Sequence, residues 1–449
     1  MTKCPAERPV IDFDHHTSEH VLTSIDTFRK LREEAPVAWS PHYGGFWVVT
    51  RYEDVMMLTR DPDAFLSTKT FDEQGRPHGG STIPPSYLWM VPTETDKPDW
   101  LRYRTALAPL FTPRPAAANK ALCEQFTHEL IDRVIESGEI DLVLDLVNPV
   151  PSLMTMHVLG LPLEEWQRFT VPFHKKAYSQ PGSADELEAR RGIEWFLAYM
   201  RDQIALQRKT RRPGLISHLM DATVSGESRL GEGDRLSDRE IFILALQVIA
   251  GGVDTTTALT SNALVYLDEN RAVRRRLIED PGLLPTACEE FMRLASPVQA
   301  LCRTAARDVE IGGQQIRAGE RIMFAFASAN RDTREFADPD SIQVDRFPNR
   351  HLGFGIGMHR CIGSTFARMM FGVMMGAILE RLPDYSIDHG RAAHYPTMPA
   401  VNGWKSIPAA FTPAASRHTA KLVPAWKDAL DFSDASGGQG VSLAELLSA

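Results

Sequence analysis

The sharpest separation of apolar from polar positions lies between Ile241 and Val253, an apolar run inside a helix that the pattern carries from about Ser237 to about Asp268. Ser237 followed by Glu240 reads as a capping box, in which each side chain satisfies a backbone N–H at the helix start. At the helix centre the segment Ala250-Gly251-Gly252-Val253-Asp254-Thr255-Thr256 works against helix formation. Paired glycines cost about 1 kcal/mol each relative to alanine, and the β-branched threonines add strain. The segment therefore predicts either a close helix crossing or an opened hydrogen-bond ladder that a small molecule or water approaches. A charge at Asp254, amid so many apolar residues, needs a partner or a wet channel.

The rest of the chain reads as a strand pair near Val37 to Val49, a helix holding Glu290-Phe291-Met292-Arg293 that stops before Pro297, and short extended pieces up to Phe411. No Gly/Ser/Pro linker and no internal repeat divides residues 1–411, so they are expected to form one mainly α unit with small β-sheets. Residues 412–449 are a small-residue extension, expected to be poorly ordered or to cap the surface with its amphipathic pieces Lys421 to Phe432 and Ser442 to Ala449.

Composition narrows the function classes. A formal net charge of −9 argues against a nucleic-acid partner. Met1 to His16 is polar, and the run Ile241 to Val253 is too short for a bilayer and contains Gln247, so no membrane anchor is expected. The five cysteines, Cys4, Cys123, Cys288, Cys302 and Cys361, show no paired spacing, which suits a reducing cytoplasm.

One of them has unusual surroundings. In His351-Leu352-Gly353-Phe354-Gly355-Ile356-Gly357-Met358-His359-Arg360-Cys361-Ile362-Gly363, glycines at 355, 357 and 363 permit a tight wrap below a flat ligand, with amide N–H groups aimed at the sulfur. Such donors favour a thiolate, the form that ligates iron, and Phe354 is placed to shield it from water. The pattern Phe-x-x-Gly-x-His-x-Cys-x-Gly resembles the heme-ligand signature of the cytochromes P450, and the resemblance extends over most of the chain.

That resemblance implies a triangular prism with a long central helix over heme b (iron protoporphyrin IX), and Cys361 as the iron ligand. Gly251, Asp254 and Thr255 then lie over the distal face, where Thr255 orients a proton path to bound O2 and Asp254 relays protons from solvent. Glu290, Arg293 and Arg346 resemble the family's structural charge network under the heme. Arg303, His359 and Arg104 resemble its propionate contacts. Trp100 stands where many members carry a histidine, and an indole offers only one N–H.

By position, the substrate pocket is expected from Leu88, Trp89 and Met90, from Gln247, Ala250 and Gly251, and from Gln299, Ala300, Leu301 and Val401. Most are apolar, which suits a terpenoid, steroid, fatty-acyl or polyketide-like molecule, as in secondary metabolism. Arg102, Arg104, Arg350, Arg360 and Arg368 are expected to flank the proximal face, where a ferredoxin or flavodoxin would deliver electrons from an NAD(P)H-dependent reductase. The activity so implied is oxygen insertion from O2. A peroxide-driven peroxygenase or a heme-binding sensor would share Cys361, but neither needs the Asp254-Thr255 pair.

Overall fold

The computed structural model describes residues 8–179, 183–225, 228, 231, 233–398, 401–418 and 420–425. Helices dominate, and the strands are short and gathered into small sheets. The expected strand pair forms, with Val37 opposite Val49 and Ser40 opposite Phe46. It opens a five-stranded sheet in the order Val37–Ser40, Phe46–Val49, Arg321–Ala325, Ala300–Ala305, Phe65–Leu66. Side chains alternate across a strand, so Ala300–Ala305 turns Leu301 and Arg303 to one face while Cys302 is buried on the other.

The central helix begins as its sequence predicts. Ser237 and Glu240 form a reciprocal capping box, and Glu240 also accepts from Arg102 Nε at 3.0 Å and Tyr103 Oη at 3.2 Å. It is not one helix, however. Asp238–Gly252 and Asp254–Glu269 meet at Val253, where φ is −86° and ψ is −73°. Its second half packs on Leu284–Ala295 and Ser364–Arg381, and its first half on Pro149–Leu159. The stretches Asp238–Glu269 and Leu142–Leu159 are long and apolar enough to cross a bilayer, longer than the run Ile241 to Val253 suggests. Both are mostly buried inside the protein and belong to its core.

The start of the C-terminal extension folds back on the helix Lys120–Val134. Val423 is buried, and Leu422 N and Val423 N donate to Glu129 Oε2 at 2.5 Å and 2.9 Å. Most of the piece Lys421 to Phe432, and all of Ser442 to Ala449, lie outside the described residues.

Candidate active site

A cavity of about 260 Å³ lies between the split helix and the cysteine loop. Gln247, Gly251 and Thr255 form one wall, Phe354, Gly355 and Cys361 the opposite wall, and Arg104, Arg303 and His359 one rim. The cysteine loop is tightly specified. Cys361 N donates to Phe354 O at 2.8 Å, and Gly355 and Gly357 take φ of +64° and +72°. At Gly357 an added Cβ would sit 2.5 Å from Thr59 O, so the loop lies directly on the helix Tyr52–Arg60. Gly363 differs from the expectation, since its φ of −79° suits any residue. Its contribution is its N–H, which draws the Cys361 thiol down together with Arg104, Arg360 and Arg368. The side chain is open to the cavity, but desolvation by the surrounding protein outweighs these groups and pushes the thiol up. A coordinated metal cation would reverse that balance by displacing the proton outright.

Behind this loop the charges of Glu289, Glu290, Arg293, Arg346 and Arg368 are paired. Arg293 makes two bonds of 2.8 Å to the Glu290 carboxylate, and Arg346 Nε reaches its oxygens at 3.2 Å and 3.0 Å. Gln343 N and Asn349 Nδ2 donate to the same carboxylate. One layer out, Glu289 holds Arg368 and His351, and Arg368 lies 4.3 Å above the Phe354 ring.

The rim has the opposite character. Arg303 is 4 % exposed, and its described hydrogen bond goes to Cys302 O, while Arg104 Nη2 donates to Arg360 O. Burial lowers Arg303 to about 10, and burial followed by the charges of Arg303 and Arg104 lowers His359 to about 3. His359 Nε2 lies 3.1 Å from Ser67 Oγ. No carboxylate among the described residues hydrogen-bonds to any of the three. With Arg303 buried and Arg104 and His359 half-buried, the rim calls for a ligand with its own acidic groups. Trp100 stacks edge-on to His359 at 6.2 Å, one layer behind the cavity, with a buried indole N–H that has no partner among the described residues. Cys361 below, carboxylate-binding cations at the edge and the opened helix above match the shape and chemistry of a heme.

The split helix separates its two candidate reactive residues. Thr255 lines the cavity and donates to Gly251 O at 2.7 Å. Asp254 turns away from the cavity and is 9 % exposed, with Oδ1 at 3.0 Å from His174 Nδ1. Sequence reasoning required a partner for Asp254 but could not identify one 80 positions earlier.

The proposed substrate wall is only partly assembled. Gln247, Gly251 and Leu301 line the cavity; Ala250 does not. Leu88, Trp89 and Met90 are also held away from it. A buried ion pair of 2.6 Å between Lys69 and Glu94 pins their loop, with Lys69 Nζ donating to Leu88 O, Met90 N to Glu94 Oε2 and Trp89 Nε1 to Glu94 O. Pro92 and Thr93 reach the cavity instead. Gln299 and Ala300 face a separate small cavity beside Phe13 and His15, and Gln299 Nε2 is used on Ala295 O and Ser296 O. Val401 bridges to Val298, and Val298 lines the wall. The proposed docking arginines divide too. Arg102 is buried on Glu240 and Arg368 is engaged by Glu289, whereas Arg350 and Arg360 are exposed.

Comparison with known proteins agrees with this geometry. Residues 191–383 match the family model described as Cytochrome P450. A steroid C26-monooxygenase of Mycolicibacterium smegmatis is 32% identical over 397 residues, covering 87% of this chain and 93% of the relative. The mycinamicin IV hydroxylase/epoxidase of Micromonospora griseorubida is 32% identical and covers 81% and 89%. The crystal structure of CYP109E1 from Bacillus megaterium with testosterone superposes with a TM-score of 0.77 at 27% identity, covering 88% of this chain and all of that one.

Proposed function

The chain belongs to the cytochrome P450 family and is a P450 monooxygenase, and on that premise we propose that it holds heme b through Cys361 and oxidises a hydrophobic small molecule with O2. The observation that carries this reading is the facing of Cys361 and Thr255 across one cavity whose rim gathers Arg104, Arg303 and His359. When bound, the heme supplies oxygen activation and two-electron chemistry.

The chain's own groups do the rest. Cys361 would ligate the iron, and the Gly363 N–H together with Arg104, Arg360 and Arg368 favours the anionic sulfur. Arg104, Arg303 and His359 would hold the two propionates. Thr255 can turn its hydroxyl from Gly251 O toward the cavity, where it donates to a ligand and orients a proton supplied from the Asp254 side. Val248, Val298, Leu301, Pro92 and Thr93 exclude water and present a lipophilic substrate to the reacting centre. Relatives named for a steroid and for mycinamicin support a bulky, largely apolar substrate. Electrons come from NAD(P)H through a ferredoxin or flavodoxin, docked at the face carrying Arg350 and Arg360. The described cysteines are free thiols, which supports a cytoplasmic setting.

The test is the absorption spectrum of dithionite-reduced protein under CO, with Cys361→Ser alongside. A Soret band shifted far to the red in wild type and missing in the variant is expected. A spectrum indifferent to the substitution, or protein that binds no heme, would overturn the reading.

A further inference from the structure

A buried imidazole stands behind Asp254 and has no part in the reaction as described so far. His174 lies on the helix Trp166–Tyr178 and is 5 % exposed. Its Nδ1 is 3.0 Å from Asp254 Oδ1, 3.2 Å from Tyr395 Oη and 3.4 Å from Asn148 Nδ2. Its Nε2 is buried and makes no hydrogen bond among the described residues. A carboxylate only accepts, so the 3.0 Å contact requires one proton between Nδ1 and Oδ1, carried by either atom. The ring thus touches Asp254 through one nitrogen and keeps the other free to take a proton.

Charged pairs lie at the surface beyond this ring. Lys405 pairs with Asp185 at 3.7 Å and Lys175 with Glu188 at 2.5 Å, both at the surface. Lys405 also covers the Tyr178 ring at 4.2 Å, and Tyr178 packs edge-on against His174 at 5.4 Å. Tyr395 and Tyr178 have pKa values raised first by burial and then by neighbouring acids, Asp254 among them, so both phenols keep their protons at neutral pH.

We propose that His174 is the positioning residue that supplies Asp254 with its proton. A proton taken from solvent at Nε2 is balanced by release of the Nδ1 proton to Asp254 Oδ1, and Asp254 passes it on toward Thr255. One proton enters and one leaves, no electrons move, and exchange with solvent restores the starting tautomer. The proposal rests on the reading of Asp254 as the proton source for the cavity.

The experiment compares heme-loaded wild type with His174→Asn and His174→Phe, using a ferredoxin, its reductase and testosterone as probe. Asparagine keeps an N–H near the position of Nδ1 to hold Asp254 but has no second nitrogen to protonate. Both variants are expected to keep the CO band and the testosterone spin-state shift. In both, product per NADPH should fall at least about tenfold, the solvent deuterium isotope effect should rise, and the pH profile near neutrality should flatten. Wild-type turnover, isotope effect and profile in His174→Asn would mean that His174 merely holds Asp254, and the proposal fails.

A second readout needs neither turnover nor the variants at His174. Ring 15N resonances of His174, titrated in the diamagnetic ferrous CO form, should show a shared Nδ1 proton in wild type that is lost in Asp254→Asn. An identical titration in Asp254→Asn overturns the proposal. A wild-type protein lacking the red-shifted CO band would refute the heme-thiolate reading instead, and the same NMR comparison on that protein would still decide the proton sharing.

Discussion

The two walls of the cavity are built on opposite principles. Beneath Cys361 the charged groups are saturated: Glu290 accepts from Arg293, Arg346, Gln343 and Asn349, and Glu289 from Arg368 and His351. Across the cavity the helix is broken at Val253, and Gln247 Oε1 and His174 Nε2 are buried without partners among the described residues. Buried polar groups are nearly always paired, and the lower network has an exception of its own in Asn349 Oδ1, so the contrast lies in the matched charges below and the broken helix above. The lower wall therefore serves as a frame that fixes one sulfur. The upper wall keeps its bonding capacity for what arrives during turnover.

The largest break in this contrast should come from the frame. Glu290→Ala leaves Arg293 and Arg346 in the interior without a counter-charge, a loss of about 3–5 kcal/mol. Heme absorbance per protein and the thermal midpoint should both fall steeply; wild-type values would show that the network is not what fixes the loop. Acid should loosen the same side next. Burial raises the Glu289 carboxyl, but hydrogen bonds from Arg368 and His351 outweigh it and hold it at about 2, against an ordinary 4.5. A depressed carboxylate contributes stability that is present above pH 4.5 and lost as pH falls toward 2, roughly 3 kcal/mol in all. Unfolding curves of wild type and Glu289→Gln should converge over that window, and parallel curves would remove Glu289 from the frame.

The upper wall should respond in chemistry and not in stability. Thr255→Ala removes a hydroxyl that now caps Gly251 O. Heme loading and thermal midpoint should stay near wild type, while product per NADPH falls about tenfold, with peroxide as the alternative product. Equal coupling in the variant would detach Thr255 from the proton path. A large stability loss would make the two walls alike.

The difference between the walls also decided what the sequence could reveal. Arg346 reaches Glu290 from 56 positions away and was legible only through the family resemblance, whereas Cys361 lies close to its glycines and Glu290 close to Arg293, so local spacing carries that part of the frame. The split at Val253 is legible for the same reason, because Gly251-Gly252 and the threonines disfavour helix on their own. The upper wall depends on distant segments. Asp254 advertised a missing partner, but no local pattern points to His174, Tyr395 or Asn148. Leu88, Trp89 and Met90 looked like wall residues until the buried Lys69 and Glu94 pair drew their loop aside and left Pro92 and Thr93 facing inward. Arg102 looked like a surface charge until it was found on Glu240, the residue that caps the central helix. In each case a buried long-range ion pair or hydrogen bond overrode the position in the chain.

The smallest expected effect is the most specific to the upper wall. Gln247 sits one turn before Gly251 on the cavity side, and its buried Oε1 has no donor among the described residues. If a substrate O–H or N–H completes that bond, Gln247→Leu removes about 1 kcal/mol of binding for a hydroxylated ligand, a few-fold change in Kd. Spin-state titration with testosterone should show that weakening, while an analogue without its hydroxyl binds as well or better. The substitution should leave folding stability unchanged or slightly raised, because an orphaned buried acceptor is replaced by an apolar group of similar size. Equal loss for both ligands would mean that Gln247 shapes the wall by volume alone, and the unpaired atom would then carry no information about the substrate.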